Sequence, residues 1–147
     1  MQLPTVLVIC DYFLPGHLAG GPIRSIANIV DHMGDTFNFR IITRNHDLGD
    51  SNSYKGIEVD KWHQVGKAEV LYVSSSLWSI LKLVSLVRQT SYDLLYLNSF
   101  FSTRFTTVPL ILRLMKLIPS RPCLIAPRGE LSSGALAIKS RQKSLFI

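Results

Sequence analysis

Residues 11–24 read DYFLPGHLAGGPIR and join the apolar run Val6-Leu7-Val8-Ile9-Cys10 to a stretch with helical periodicity. Gly16, Gly20 and Gly21 strip the loop of side-chain bulk, and Pro22 brings a fixed φ suited to a first helical position. A helix that starts after paired glycines offers its first N–H groups to a close-lying ligand. Its dipole favours an anion there, most often a phosphate. Arg24, in the first turn, adds a charge-assisted donor. The spacing Gly16-x-x-x-Gly20-Gly21 is not GxGxxG, so the loop alone fits two uses about equally: a phosphate cradle, or turn punctuation between a strand and a helix.

Outward from this loop, apolar runs alternate with amphipathic segments. Thr5–Cys10 reads as a buried strand, and Pro22–Met33 as a helix with Ile23, Ile26, Ala27, Ile29 and Val30 inward, ended by Gly34. Phe39–Thr43 is a second strand. Residues 44–56, rich in Asn, Asp, Ser and Gly, read as a long surface loop. Ile57–Trp62 is a short strand and Glu69–Val73 a firmer one. Ser74-Ser75-Ser76 offers N-caps for a helix over Leu77–Gln89. Asp93–Asn98 is the next strand, then a helix near Arg104–Leu117, a strand Cys123–Ala126 and a final helix from Ser133. Continuous apolar strands separated by helices predict an α/β, Rossmann-like, doubly wound parallel sheet with helices on both faces.

Length and charge narrow the function. A chain of 147 residues, 47% hydrophobic, buries a core as one domain over 1–147 and is not disordered. Its two cysteines, Cys10 and Cys123, lie in strand patterns and read as small hydrophobes, with a reducing compartment as the default. Met1-Gln2-Leu3-Pro4 runs straight into a strand and carries no basic leader. No apolar stretch approaches the roughly 20 residues of a spanning helix. The expected location is the cytoplasm. The net charge of +6 is uneven: residues 1–103 balance to −1 and residues 104–147 to +7. That basic end suits phosphates or an anionic membrane, through Arg113, Lys116, Arg121, Lys139, Arg141 and Lys143. A merely solvated basic face is the competing use. Nucleic acid is disfavoured, since no recognition-helix or RNP-like pattern accompanies the charge.

In a doubly wound sheet, ligands sit beyond the carboxyl ends of the strands, near the switch point. Three such ends carry polar or glycine-containing segments, which should converge: Asp11–Gly21, Asn98-Ser99 and Pro127-Arg128-Gly129-Glu130. Arg128 suits bidentate binding of a phosphate or carboxylate, or a structural ion pair with Glu130. Glu130 suits a base, a ligand for sugar hydroxyls, or a cap for the final helix. Asn98 and Ser99 offer neutral hydrogen-bonding groups to a hydroxyl-rich ligand. Asp11 would orient a ligand or cap the loop backbone. His17 is a base candidate near neutral pH, or simply solvated. His32, His46 and His63 have no metal-ligand spacing with one another or with the cysteines, and no metal is expected. A Walker loop and a nucleophile elbow are absent from the sequence.

Taken in order, these motifs resemble the N-terminal domain of a GT-B glycosyltransferase of the family 4, or group 1, type. The likeness runs through most of the chain. It is best at Phe13-Leu14-Pro15-Gly16 leading to Gly20-Gly21-Pro22-Ile23-Arg24. It extends through Phe39–Thr43 and Asp93–Asn98 to Ala126-Pro127-Arg128-Gly129-Glu130-Leu131, which with Lys139 and Lys143 is similar to PRG-type members that build bacterial surface polysaccharides. The resemblance implies metal-independent transfer of a sugar from a nucleotide-sugar donor to a glycan or lipid-linked acceptor, with retention in most members. It implies that Gly20, Gly21 and Arg24 approach the donor diphosphate, and that His17, Asn98, Ser99, Arg128 and Glu130 line the acceptor side. Asp11, Arg128 and Glu130 are the catalytic candidates. Many members carry a histidine just after the strand that here is Cys123–Ala126, where this chain has Arg128-Gly129, so that catalytic role does not transfer. The family's second domain, with its nucleotide pocket and E-x7-E carboxylates, does not follow Ile147, which implies a fragment inactive alone. The alternative is a stand-alone binding module for a phosphorylated ligand or an anionic membrane. A Rossmann dehydrogenase is disfavoured, because it wants GxGxxG and an acidic residue ending the second strand, where Thr43-Arg44 stands.

Overall fold

The computed structural model of the chain describes residues 2–74 and 79–132, with the backbone alone for residues 79 and 80. The order is β1 (Thr5–Ile9), α1 (Gly21–Met33), β2 (Asn38–Arg44), β3 (Trp62–Val65), β4 (Ala68–Val73), α2 (Ser79–Gln89), β5 (Leu94–Leu97), a π-helical turn (Thr103–Thr107), α3 (Val108–Leu114) and β6 (Cys123–Ile125). The six strands form one sheet in the order β3-β4-β2-β1-β5-β6, parallel except for the β3–β4 pair. Rossmann-like winding follows directly. The chain moves outward from β1 through β2 to β4, then returns to β5 on the other side of β1. The strand order therefore reverses between β1 and β5.

Strand alternation sends side chains to two separate cores. Val6, Val8 and Cys10 of the β1 segment join Phe39, Ile41, Val70, Tyr72 and Tyr96 beneath Ile26 and Val30 of α1. Leu7 and Ile9 join Ile42, Leu71, Leu95 and Leu97 beneath Leu83 and Val87 of α2, Phe105 of the π-helical turn and Leu112 of α3. Leu7, Ile9, Ile41, Ile42, Leu95 and Leu97 have no measurable exposure. Both faces of the sheet are covered, which is why these strands are continuous apolar runs rather than alternating ones.

Three local expectations change, and the end of α1 at Gly34 holds for a packing reason. Residues 57–61 lie outside any strand; the strand begins at Trp62 and pairs antiparallel with β4 across a tight turn at Gly66, whose φ is +58°. Alternation within a short segment gave no signal of chain direction. Residues 44–56 are not simply a surface loop, because Asn45 and Asp47 are buried. The helix over 104–117 is a π-helical turn followed by a shorter α-helix. Val108 N donates to the Thr103 carbonyl and Thr107 N to that of Ser102, both five residues apart. Gly34 ends α1 in a right-handed conformation; a Cβ there would stand 2.6 Å from the Cβ of Lys67, so close packing is what calls for glycine. The final helix from Ser133, and the caps at Ser75 and Ser76, fall outside the described residues. No helix among the described residues is long and apolar enough to cross a membrane.

Candidate functional site

The carboxyl ends of β1 and β5, where the strand order reverses and doubly wound sheets form their ligand crevice, carry the candidate site, which is built from the glycine loop outward. Asp47 anchors it. Its Oδ2 accepts from His17 N at 2.8 Å and Leu18 N at 3.2 Å, and its Oδ1 accepts from Leu48 N at 2.8 Å. The His17 ring nitrogen lies 3.5 Å from the same carboxylate while the ring itself is exposed. Burial of Asp47 opposes its ionisation. The N–H donors of His17, Leu48 and Leu18, with the His17 ring, outweigh that and hold the carboxyl below its ordinary value. A second tie comes from Tyr72, whose hydroxyl donates to the Leu14 carbonyl at 2.5 Å.

The three glycines play different parts. A Cβ on Gly16 would collide with the Tyr54 hydroxyl and stand 2.9 Å from the Phe13 carbonyl oxygen and 3.0 Å from Asp47 Oδ1. Packing therefore requires glycine at 16. Gly20, the N-cap of α1, has φ 62° and ψ −112°, a conformation that costs other residues about 1–3 kcal/mol. Gly21 has neither a positive φ nor any atom within 4 Å of a built Cβ. The fold itself has room for a side chain at 21. Gly20 brings no capping side chain and the first turn holds no acidic residue, so the N–H groups of that turn keep their affinity for an anion. Arg24 is exposed in the same turn.

The ends of β5 and β6 are laced together. Arg128, at φ 51°, donates from Nε to Asn98 Oδ1 at 2.7 Å and from Nη2 to the Tyr96 hydroxyl, with its Cζ 5.9 Å from the Tyr96 ring centre. Burial pushes the Tyr96 hydroxyl up, against the opposing pull of Arg128. Glu130 accepts from Ser99 Oγ at 2.9 Å and from Phe100 N at 2.5 Å. These contacts replace the ion pair between Arg128 and Glu130 that adjacency in sequence suggested.

Asp11 lies on the other rim. It takes Arg44 Nη2 at 2.7 Å and Nε at 3.2 Å, so a cation at the end of β2 engages it. The predicted site residues therefore meet in pairs and split between two rims. Asn98, Arg128 and Tyr96 lie on the α1 side, and Asp11 lies on the α2 and α3 side, with Arg44 over Phe105 at 5.0 Å. Asp47, Arg44 and Arg104 were missed. The loop after β2 reads as surface from its composition, although it too leaves the carboxyl end of a strand, and that position is the signal for Arg44 and Asp47. Cys10, buried beneath the crevice, has its thiol pushed up to about 12 by burial, with a further push from Asp11. It is an inert packing group.

A depression of about 710 Å³ lies at the opposite end of the sheet, lined by Asn38, Arg40, Lys67, Glu69 and Asp93. Its charges are already matched, Arg40 to Glu69 at 2.7 Å, Lys67 to Asp35 at 2.5 Å, and Asp93 to Thr5 N at 2.8 Å. It also faces away from the switch point, so the crevice is the stronger candidate. No three metal-ligating side chains gather among the described residues. Fold and crevice define a Rossmann-like α/β domain. Compared with protein-family models, curated proteins and solved structures, the chain matches none.

Two outcomes follow for the loop. Asp47→Asn should lose about 1–3 kcal/mol at pH 7 in urea unfolding. The native carboxyl is held below its unfolded value, so the stability it contributes is present above about pH 4 and disappears as pH falls through the native pKa. The gap between wild type and variant should therefore close in acid; a gap that persists unchanged at pH 3 rejects this role. Gly20→Ala should lose about 1–3 kcal/mol, whereas Gly21→Ala should stay within about 0.5 kcal/mol of wild type.

Proposed function

We propose that this domain is the acceptor-side half of a sugar-nucleotide-dependent glycosyltransferase of the GT-B, family 4 type. The observation that carries the reading is the crevice at the β1–β5 reversal. On one lip a pinned loop ends in Gly20-Gly21 and a helix start with open N–H groups. Beside it, at the ends of β5 and β6, stand Asn98, Ser99, Arg128 and Glu130, held by mutual hydrogen bonds. In this reading the first-turn N–H groups of α1, with Arg24, stabilise charge growing on the leaving diphosphate. The polar lip binds acceptor hydroxyls, and a second domain supplies the nucleotide pocket. Arg128 and Glu130 act by orienting Asn98 and the backbone at Phe100, so they position the acceptor.

The reading is tested on the longest protein encoded by the gene, assayed with a panel of nucleotide-sugars for transfer and for slow donor hydrolysis. One of the two is expected. Gly21→Val should lower either activity by about tenfold or more while leaving stability near wild type. A folded parent protein with neither activity rejects the proposal.

The α3 region favours a second reading, peripheral docking on an anionic membrane. Ile111, Leu114, Met115 and Leu117 are exposed there, Leu114 by 84%, beside Arg113, Lys116 and Arg121. Exposed apolar side chains ringed by cations suit a bilayer surface rich in anionic lipid. Lys139, Arg141 and Lys143 lie outside the described residues. Co-sedimentation with phosphatidylglycerol vesicles should be visible at low salt, fall at high salt, and fall again in Leu114→Glu. Absence of binding at low ionic strength removes this reading.

A further inference from the structure

Arg44 and Arg104 come from distant parts of the chain, the end of β2 and the π-helical turn after β5, yet both lie against one aromatic ring. The Arg44 Cζ is 5.0 Å and the Arg104 Cζ 5.5 Å from the centre of Phe105, a fully buried side chain. Tyr12 flanks Arg44 from the glycine-loop side at 5.6 Å. One carboxylate, Asp11, serves the pair and is bound directly by Arg44. Arg104 donates from Nη2 to the Ser74 carbonyl at 2.7 Å. Two cations against one anion leave the cluster with an excess positive charge, partly withdrawn from water. The Arg44 side chain keeps 25% exposure, so a ligand can reach it.

Two like charges do not gather against one ring at no energetic cost. Burial holds Arg104 below its usual pKa, and the neighbouring Arg44 lowers it further, against the pull of Asp11. The local backbone is also unusual. Arg104 sits in a π-helical turn, whose widened loop is held by Ser102 Oγ accepting from Phe105 N at 3.2 Å and by Thr106 Oγ1 donating to the Ser99 carbonyl at 2.9 Å. Such turns concentrate at functional sites. Here the turn places Arg104 opposite the end of β2, at the carboxyl ends of the strands where a ligand would lie.

We propose that Arg44 and Arg104 form a binding site for a diphosphate group, separate from the open helix start at Gly20-Gly21. Phe105 and Tyr12 hold the planes of the guanidinium groups, and Asp11 orients Arg44. The donors of both forks that no hydrogen bond among the described residues engages supply charge-assisted hydrogen bonds to a doubly charged phosphate oxyanion, which relieves the repulsion between the two cations. The inference does not depend on sugar transfer, since a diphosphate can bind here whether or not the parent protein transfers a sugar.

The test is titration of the full chain with inorganic pyrophosphate, following the guanidinium Nε–H resonances of Arg44 and Arg104 by NMR and the affinity by calorimetry. Both resonances should shift, and Arg104→Gln should weaken binding by at least about tenfold. Arg24→Gln serves as the control for the helix start and should leave the Arg44 and Arg104 shifts in place. Two results overturn the proposal: neither resonance moving up to about 10 mM pyrophosphate, or a folded Arg104→Gln binding as tightly as wild type. Should Arg104→Gln not fold, the wild-type resonances decide alone. Uridine diphosphate and farnesyl diphosphate separate the sources of the group. Tighter binding of either than of pyrophosphate supports the site and names its ligand as nucleotide or lipid-linked. Equal affinity supports it with the diphosphate alone as the recognised group.

Discussion

The crevice depends on one buried carboxylate. Asp47, left without donors, would take up a proton or pull its loop into water, because a desolvated anion is costly unless hydrogen bonds repay it. The N–H groups of His17, Leu18 and Leu48 meet that need, and in doing so they fasten the glycine loop after β1 to the loop after β2. Gly16 must lack a Cβ for the two to approach so closely, with Tyr54 against the same spot. The direction in which the chain reaches Gly20, and hence where α1 begins, follows from that contact. Hydrogen bonds to a charged group contribute about 1.5–3 kcal/mol each in such settings, which is enough to order a loop with little apolar surface of its own.

Parity along the strands then distributes the chemistry. Residues one apart face opposite cores, so side chains just past the strand ends inherit opposite rims. Arg128 closes over Tyr96, a member of the core beneath α1. Arg44 closes over Phe105, a member of the core beneath α2 and α3. One rim thus carries Asn98 bound to Arg128, and the other carries Arg44 and Arg104 with Asp11. The reading as a sugar-handling domain and the assignment of a diphosphate site are mutually consistent on this basis, though each stands on its own residues.

Much of the fold is legible in the sequence. Val6–Ile9, Ile41–Thr43, Val70–Val73 and Leu95–Leu97 are apolar runs too short for helices and bounded by polar residues. Helical periodicity from Ile23 to Val30 ends at Gly34, so the alternation of β and α follows. What could not be read was anything that depends on a partner distant in sequence. Residues 62–65 pair antiparallel because they fold back across Gly66, and no local feature of Trp62 or His63 states the direction of a neighbour. Residues 45–47 are polar and looked like surface. Their burial follows from what covers them, since Asn45 N donates to the Val73 carbonyl and Asp47 bonds to the glycine loop some 30 positions earlier.

The candidate site divides along the same line. The sequence by itself determined which strand ends carry glycine, amide, carboxylate and guanidinium groups, because the succession of strands along the chain and the rule that ligands sit at carboxyl ends need only local pattern and chain direction. Tertiary structure alone decided the pairings: Arg128 with Asn98 and Tyr96 rather than Glu130, Glu130 with Ser99 and Phe100, and Asp11 with Arg44. It alone brought Arg104 beside Arg44 over Phe105. The physical reason is range. Backbone propensity and periodicity act over a few residues, whereas hydrogen bonds and charge contacts act over a few ångströms, between groups that only the wound sheet brings together.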